Sequence, residues 1–340
     1  MKVRVPERPV PERPVPEQPD EKAFLPLSER KLIYIANPAA GGGRHLAAAE
    51  NAVKRGGGEL IKSERPGHLT ELVADALIRD PFAHVVVYGG DGTVYEAVNG
   101  IMASGQNGTA SFSVIPAGSG NDFSTHVNDP DIFEPYELTR VDAVRTEAGG
   151  KTRYFANMMN IGFDCAVVRQ TCRIREKTPL RGSLAYVAGV AKELAVKKTT
   201  DAEILLSGCV SPADGKPLPD RTFRQKILLT AAGNGSHCGG GFNALPLADL
   251  TDGCLDVLVV NDVSRFKFVA LVGDYRAGTY VRKNGELRDK FRGILEFVRC
   301  SRMEVSGPEY FCLDGEVFET GADRRVTAEV VPGALWYAAV

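Results

Sequence analysis

Three times in its first half this chain runs from a short apolar stretch into a glycine loop and then into a helical pattern. Leu32-Ile33-Tyr34-Ile35-Ala36 leads into Asn37-Pro38-Ala39-Ala40-Gly41-Gly42-Gly43-Arg44. Val85-Val86-Val87-Tyr88 leads into Gly89-Gly90-Asp91-Gly92-Thr93. Phe112-Ser113-Val114-Ile115 leads into Pro116-Ala117-Gly118-Ser119-Gly120-Asn121-Asp122-Phe123. Short apolar runs bounded by glycine read as buried parallel strands. The spacing of Val94, Ala97, Val98 and Ile101 reads as one face of a helix. Loops at the carboxyl ends of successive parallel strands converge on one edge of an open α/β sheet, where ligands bind. Backbone N–H groups at such helix starts point at phosphate. Thr93 stands where an N-cap is expected. Asp91 adds a constraint, because a carboxylate among phosphate-facing amides repels phosphate unless a metal or a proton intervenes. That favours a nucleotide with Mg²⁺ over a plain anion, although Gly-Asp-Gly is also a common turn. No Gly-Lys-Ser/Thr occurs, so none of the three is a Walker loop, and Gly41-Gly42-Gly43 lacks the dinucleotide spacing.

The organisation around these loops divides the chain of 340 residues in three. Residues 1–27 repeat Val-Pro-Glu-Arg-Pro with little to bury, and are expected to form a disordered, polyproline-like tail. Residues 28–140 alternate strand and helix and are expected to form a nucleotide-binding α/β domain with a parallel sheet. Its helices are expected over Arg44–Arg55, Leu69–Arg79 and Val94–Met102. Residues 141–340 are mostly strand-like, with Thr152–Asn160 reading as one strand, and helical patterns at Ser183–Val196 and Ser264–Ala277. They are expected to form a second, β-sandwich-like domain, with the active site in the interdomain cleft.

Charge and cysteine usage narrow the setting. The formal net charge of -2 implies no global attraction to nucleic acid, and none is expected as a partner. The 7 cysteines are scattered, odd in number and without a CxxC pair, which suits reduced cytoplasmic thiols. No apolar run approaches the roughly 20 residues of a membrane span, and the N-terminus has no apolar signal core.

Two stretches in the second half carry further chemistry. Gly239-Gly240-Gly241 leads through Pro246 and Asp249 to Asp252-Gly253-Cys254-Leu255-Asp256. Its aspartates and carbonyls suit either an oxygen-ligated cation or an Asx-turn. Leu313-Asp314-Gly315-Glu316 is either a hairpin turn or a general base beside a metal ligand.

With all five motifs in order, the chain resembles the diacylglycerol kinase catalytic family from about Lys31 onward. It is most similar to the soluble bacterial lipid kinases, relatives of sphingosine and ceramide kinases. The resemblance implies an ATP-dependent lipid kinase needing Mg²⁺. It implies that Asn37, Arg44, Gly89, Gly90, Gly92, Thr93, Gly118 and Ser119 meet the nucleotide. Asp314 matches the family's general base, Glu316 assists with the catalytic Mg²⁺, and Asp91 takes either metal contact or proton acceptance. Asp252, with the carbonyls of Asp249 and Cys254, matches a structural Mg²⁺ site. The resemblance departs at Tyr95, where the family usually has Asn, and at Ser119, where it has Thr. Ser124-Thr125 replaces Ala-Arg, which leaves a phosphate-proximal cation unaccounted for. Ala166 stands where sphingosine kinases carry an Asp, which counts against a sphingoid amine.

The expected reaction is transfer of the γ-phosphate to an amphiphilic lipid alcohol, diacylglycerol giving phosphatidate. The alternatives are an NAD kinase-like enzyme, which shares the Gly-Gly-Asp-Gly-Thr loop, and a catalytically idle lipid-binding regulator. Arg169, Arg173, Arg175, Lys177, Arg181, Lys192, Lys197 and Lys198 are interleaved with Leu180, Leu184, Tyr186 and Val187, which suits either an ordinary solvated helix face with an apolar core side or a docking face. Such a face suits peripheral contact with a membrane surface.

Overall fold

The computed structural model describes residues 25–38, 44–118, 120–130, 132–178, 182–196 and 198–340. The proline repeat, the run 39–43, Ser119, Arg181 and Lys197 lie outside the described residues. The first half contains β1 (Leu32–Ala36), α1 (Arg44–Gly56), β2 (Glu59–Lys62), α2 (His68–Arg79), β3 (His84–Gly89), α3 (Asp91–Ser104), β4 (Ser111–Pro116) and α4 (Asp122–Val127). Its strands lie in the order β4-β3-β1-β2, all parallel. Leu69, Val73, Ala76 and Leu77 of α2, and Val94, Ala97, Val98 and Ile101 of α3, are buried against this sheet. Each large aliphatic side chain so buried contributes about 1.5–3 kcal/mol.

The second half continues with β5 (Leu138–Ala148), β6 (Lys151–Phe155), β7 (Met158–Gly162), α5 (Phe163–Lys177), α6 (Gly182–Val196), β8 (Thr200–Ser207) and β9 (Arg221–Gly233). It closes with β10 (Leu255–Asn261), α7 (Arg265–Ala277), β11 (Leu295–Cys300), β12 (Arg302–Ser306), β13 (Tyr310–Leu313), β14 (Glu316–Glu319) and β15 (Arg325–Ala338). These strands pair antiparallel and enclose one core, including Phe155, Ile161, Val257 and Phe311. A second core, including Met158, Phe163, Leu229 and Leu258, lies on the side of the helices. β15 joins the halves: its first residues pair with β12, and Trp336 and Tyr337 pair in parallel with Ser111 and Phe112 of β4.

Three local readings are corrected. α3 begins at Asp91, so Gly90 is the N-cap and Thr93 is a buried residue of the first turn. The N–H groups of Thr93 and Val94 already donate to the Gly90 carbonyl (2.9 and 3.1 Å). The stretch Thr152–Asn160 is two strands, β6 and β7, parted at Ala156-Asn157 by a carboxylate from elsewhere in the chain. Finally, α5 was not anticipated, because its charged residues leave a sparse apolar face. Gly162, at φ +85°, ends β7 and turns the chain directly into it.

Candidate active site

The sheet registers place the glycine loops side by side. Ala36 pairs with Tyr88 and Gly89 with Pro116, so Asn37, Gly89-Gly90 and Ala117-Gly118 follow at one edge. The latter two loops touch backbone to backbone. A Cβ on Gly90 would stand 2.7 Å from the Gly118 Cα, and one on Gly118 2.5 Å from the Gly90 Cα. Asn121, at φ +58°, accepts from the Gly118 N–H (2.7 Å) and donates back to its carbonyl (3.2 Å). The start of α3, with its partial positive charge, faces this edge. Arg44 heads α1 beyond the undescribed run, and Asn37 is half-buried at the end of β1.

Carboxylates gather above this floor. Asp91 accepts from the Phe123 N–H at the start of α4 (3.2 Å). Burial, and then the neighbouring Asp122, push its carboxyl up to about 6. Glu316 reaches over the loop, its Oε1 2.8 Å from where a Gly92 Cβ would stand. Burial, then Glu96, raises it. Asp314 and Gly315 form the tight turn between β13 and β14, at φ +47° and +89°. The Asp314 side chain turns inward and accepts from the N–H groups of Ala156 (3.2 Å), Asn157 (3.3 Å) and Met158 (2.8 Å). These are the donors that part β6 from β7. Burial lifts the Asp314 carboxyl up to about 7, with Asp91 adding to the rise and the three N–H groups opposing it. Three donors leave roughly one of a carboxylate's four acceptor positions for a substrate proton. The hairpin turn and a buried carboxyl of raised proton affinity are thus one feature.

Asp314 is near enough to Asp91 to be raised by it, and Glu316 reaches over Gly92, the next residue, from the other domain. Among the described residues none of the three acids is ion-paired with Lys or Arg, and burial is the main cause of each rise. Buried oxygen ligands lacking a counter-charge fit a hard divalent cation. Asp91 and Glu316 are the groups that would hold it.

The second expected cation site looks different. Asp249 accepts from the Thr251 N–H (2.9 Å) and hydroxyl (2.8 Å), and Asp252 from the Cys254 N–H (2.9 Å). The Asx-turn is complete. Arg299 Nη1 lies 3.2 Å from the other Asp252 oxygen and already supplies a counter-charge. Among the described residues no group of three or more acids, histidines or cysteines is placed to hold a metal.

Sequence reasoning overlooked the residues that join the domains. The Asp122 carboxylate accepts from Gly240 N–H (3.0 Å) and Gly241 N–H (3.2 Å), which accounts for the glycine run 239–241. Beside it, His126 Nδ1 accepts from the Ser236 N–H (3.0 Å). The available signal was an acid directly after the Gly118 loop, at a helix start. Tyr95 packs its ring on Phe318 of β14 (5.7 Å), so the departure there fills the domain junction. A pocket of 510 Å³ lies away from the glycine loops, with Arg169, Lys198, Asp201, Glu309, Tyr310 and Arg324 among its walls.

A parallel sheet presenting glycine loops, closed by an acidic hairpin from a β domain, defines a two-domain kinase. Residues 31–155 match the family model described as diacylglycerol kinase catalytic domain. Residues 157–339 match that described as YegS C-terminal NAD kinase beta sandwich-like domain. A probable lipid kinase YegS-like from Pseudomonas aeruginosa is 28% identical over 318 residues, 91% of this chain and 94% of its own. A namesake from Chromohalobacter salexigens is 32% identical over 184 residues, 52% of this chain and 54% of its own. The crystal structure of a diacylglycerol kinase from Bacillus anthracis shares the fold, with a TM-score of 0.56 at 19% identity, covering 92% of this chain and 97% of that one. The chain belongs to the YegS-like lipid kinase family, with the catalytic domain of the diacylglycerol kinases.

Proposed function

We propose that the chain transfers the γ-phosphoryl group of ATP to the primary hydroxyl of an acylglycerol-type lipid, with diacylglycerol, giving phosphatidate, the first acceptor to test. The observation that carries this reading is Asp314, set in the β13–β14 turn beside Asp91 and over the start of α3. Phosphoryl transfer asks mainly for positioning and neutralised charge. The glycine floor and the start of α3 bind the triphosphate. A divalent cation held by Asp91 and Glu316 would neutralise phosphate charge. Asp314 takes the proton of the lipid hydroxyl as its oxygen bonds to the γ-phosphorus. The bond from that phosphorus to the β–γ bridging oxygen breaks, and ADP leaves.

Labelled ATP offered with diacylglycerol micelles, with NAD or with no acceptor tests the reading. Label is expected in the lipid. Label in NAD, or only free phosphate, overturns it.

The pH dependence follows from the two raised carboxyls. Asp314 is active as the base only when ionised, so kcat/KM is expected to fall as pH drops through about 7 to 6. An ordinary carboxylate would place that limb near about 4. A profile flat down to pH 5 removes the buried pair from the mechanism.

Access to a membrane lipid is proposed to be peripheral. No helix among the described residues is long and apolar enough to cross a membrane. Arg173, Lys177 and Lys192 are exposed beside Leu184 and Val187, whereas Arg169 stacks on the Tyr310 ring (4.1 Å) and leaves this set. Charge reversal at Arg173, Lys177 and Lys192 is expected to reduce sedimentation with anionic vesicles and to slow use of vesicle lipid more than of a monomeric short-chain lipid. Unchanged sedimentation refutes docking by this face.

A further inference from the structure

The cavity of 510 Å³ away from the glycine loops takes no part in the transfer proposed above. It has the size of a small-molecule site, about 300–1,000 Å³. α5 supplies one wall with Ala166 and Arg169, and α6 another with Glu193. Lys198 and Thr199, with Thr200 and Asp201 at the start of β8, form a third. The far side is Glu309 and Tyr310, where β13 begins, and Arg324 just before β15. These walls are held in place. A Cβ on Gly307 would overlap the Asp201 carbonyl, and the Gly307 N–H donates to the Arg324 carbonyl (2.8 Å). The Arg169 guanidinium lies over the Tyr310 ring (4.1 Å).

Six charged side chains line this one space, Arg169, Lys198 and Arg324 against Glu193, Asp201 and Glu309. Among the described residues none of the six forms an ion pair or a side-chain hydrogen bond. Elsewhere on the surface opposite charges do meet, as Lys31 meets Asp80 (2.7 Å) and Arg224 meets Glu203 (2.7 Å). Both signs kept apart around one cavity complement a molecule that itself carries both signs apart. The hydroxyls of Thr199 and Thr200 lie among them. Two guanidinium forks and two hydroxyls offer more donors than the roughly four acceptor positions of a carboxylate take. They suit the oxygens of a phosphate. The three acids accept N–H groups, so the positive end of the ligand carries them. A quaternary ammonium has none and is held instead by aromatic faces. Here Arg169 already occupies a face of Tyr310.

We propose that this cavity binds a phosphate ester carrying a primary ammonium group, the chemistry of phosphoethanolamine. Arg169, Arg324 and Lys198 take the phosphate, and Glu193, Asp201 and Glu309 take the ammonium. The site is separate from phosphoryl transfer, so the inference goes beyond the kinase reading and does not rest on it. Arg173 and Lys177 follow Arg169 at four-residue steps along α5, which opens the cavity beside the face proposed to meet a membrane. The same chemistry exists free in solution and as the head of a membrane phospholipid.

Calorimetric titration of the full chain with phosphoethanolamine, phosphocholine and inorganic phosphate tests the site. Phosphoethanolamine is expected to bind about tenfold or more tightly than the other two, because a site built on hydrogen bonds rejects a ligand lacking the donor. Arg169→Gln and Lys198→Gln should each weaken it by about tenfold, as loss of a charged hydrogen-bond partner does. Lys198 is exposed, so its variant keeps the test independent of any change in folding at Arg169. The double change Glu193→Gln with Glu309→Gln should cut the preference over phosphocholine to less than about threefold. Sedimentation with phosphatidylcholine vesicles, with and without phosphatidylethanolamine, then separates the sources. Pelleting that needs phosphatidylethanolamine assigns the lipid head, and equal pelleting assigns the free ester. No binding of phosphoethanolamine, equal affinity for phosphocholine, or full affinity in both Arg169→Gln and Lys198→Gln overturns the proposal. Transfer of label from ATP is scored separately, and its failure overturns the kinase reading alone.

Discussion

Replacing Asp314 with Asn is expected to lower kcat by about 10²–10⁴-fold, the usual contribution of a positioned base. ATP binding should persist, because Asp314 lies on the hairpin and not on the glycine floor. The fold suffers as well. Both carboxylate oxygens accept backbone N–H groups, from Ala156 on one side and from Asn157 and Met158 on the other. An amide turns its NH₂ against one of them, at a cost of about 1–3 kcal/mol. A lower melting temperature alone is therefore no sign of a lost base. The diagnostic is single-turnover transfer at saturating ATP, with folding checked at the same temperature. If Asp314→Asn keeps more than about a tenth of the rate while Asp91→Asn loses 10²-fold or more, proton acceptance belongs to Asp91.

Gly118→Ala is expected to raise the KM for ATP about tenfold or more and to lower the melting temperature. The added methyl would lie 2.5 Å from the Gly90 Cα. Backbone cannot rotate aside as a side chain can, so the two glycine loops must part. Overpacking of this kind costs about 1–3 kcal/mol, and it falls where the nucleotide is proposed to sit. The KM for lipid should hardly move. Gly108→Ala is the control, since its Cβ would meet nothing within 4 Å. An unchanged KM for ATP in Gly118→Ala would remove the paired glycines from nucleotide binding.

Much of the first domain was legible along the chain because its determinants are local. β1 and β3 are apolar runs ended by loops with glycine, and α2 repeats its buried residues at helical spacing. The glycine loops then had to share an edge, because parallel strands joined by helices leave all their carboxyl ends on one side. The Asp314 turn was legible as a turn for the same reason, since Asp-Gly is a local signal. Its chemistry was not. The three N–H groups that hold the carboxylate lie more than 150 residues back, Ala156 by 158. Asp122 and Gly240 are 118 residues apart. No periodicity encodes such partners. They meet because β15 bridges the two sheets and β13 packs on β7, and only that long-range pairing brings buried acids from both halves together. The pairing of β10 with β11 likewise sets Arg299 opposite Asp256 and against Asp252, a contact that local sequence does not encode. Sequence alone located most strands and helices of the first domain and the sheet edge on which its glycine loops lie. Tertiary structure settled which carboxylates lose their water, and hence which have their proton affinities raised toward neutral pH.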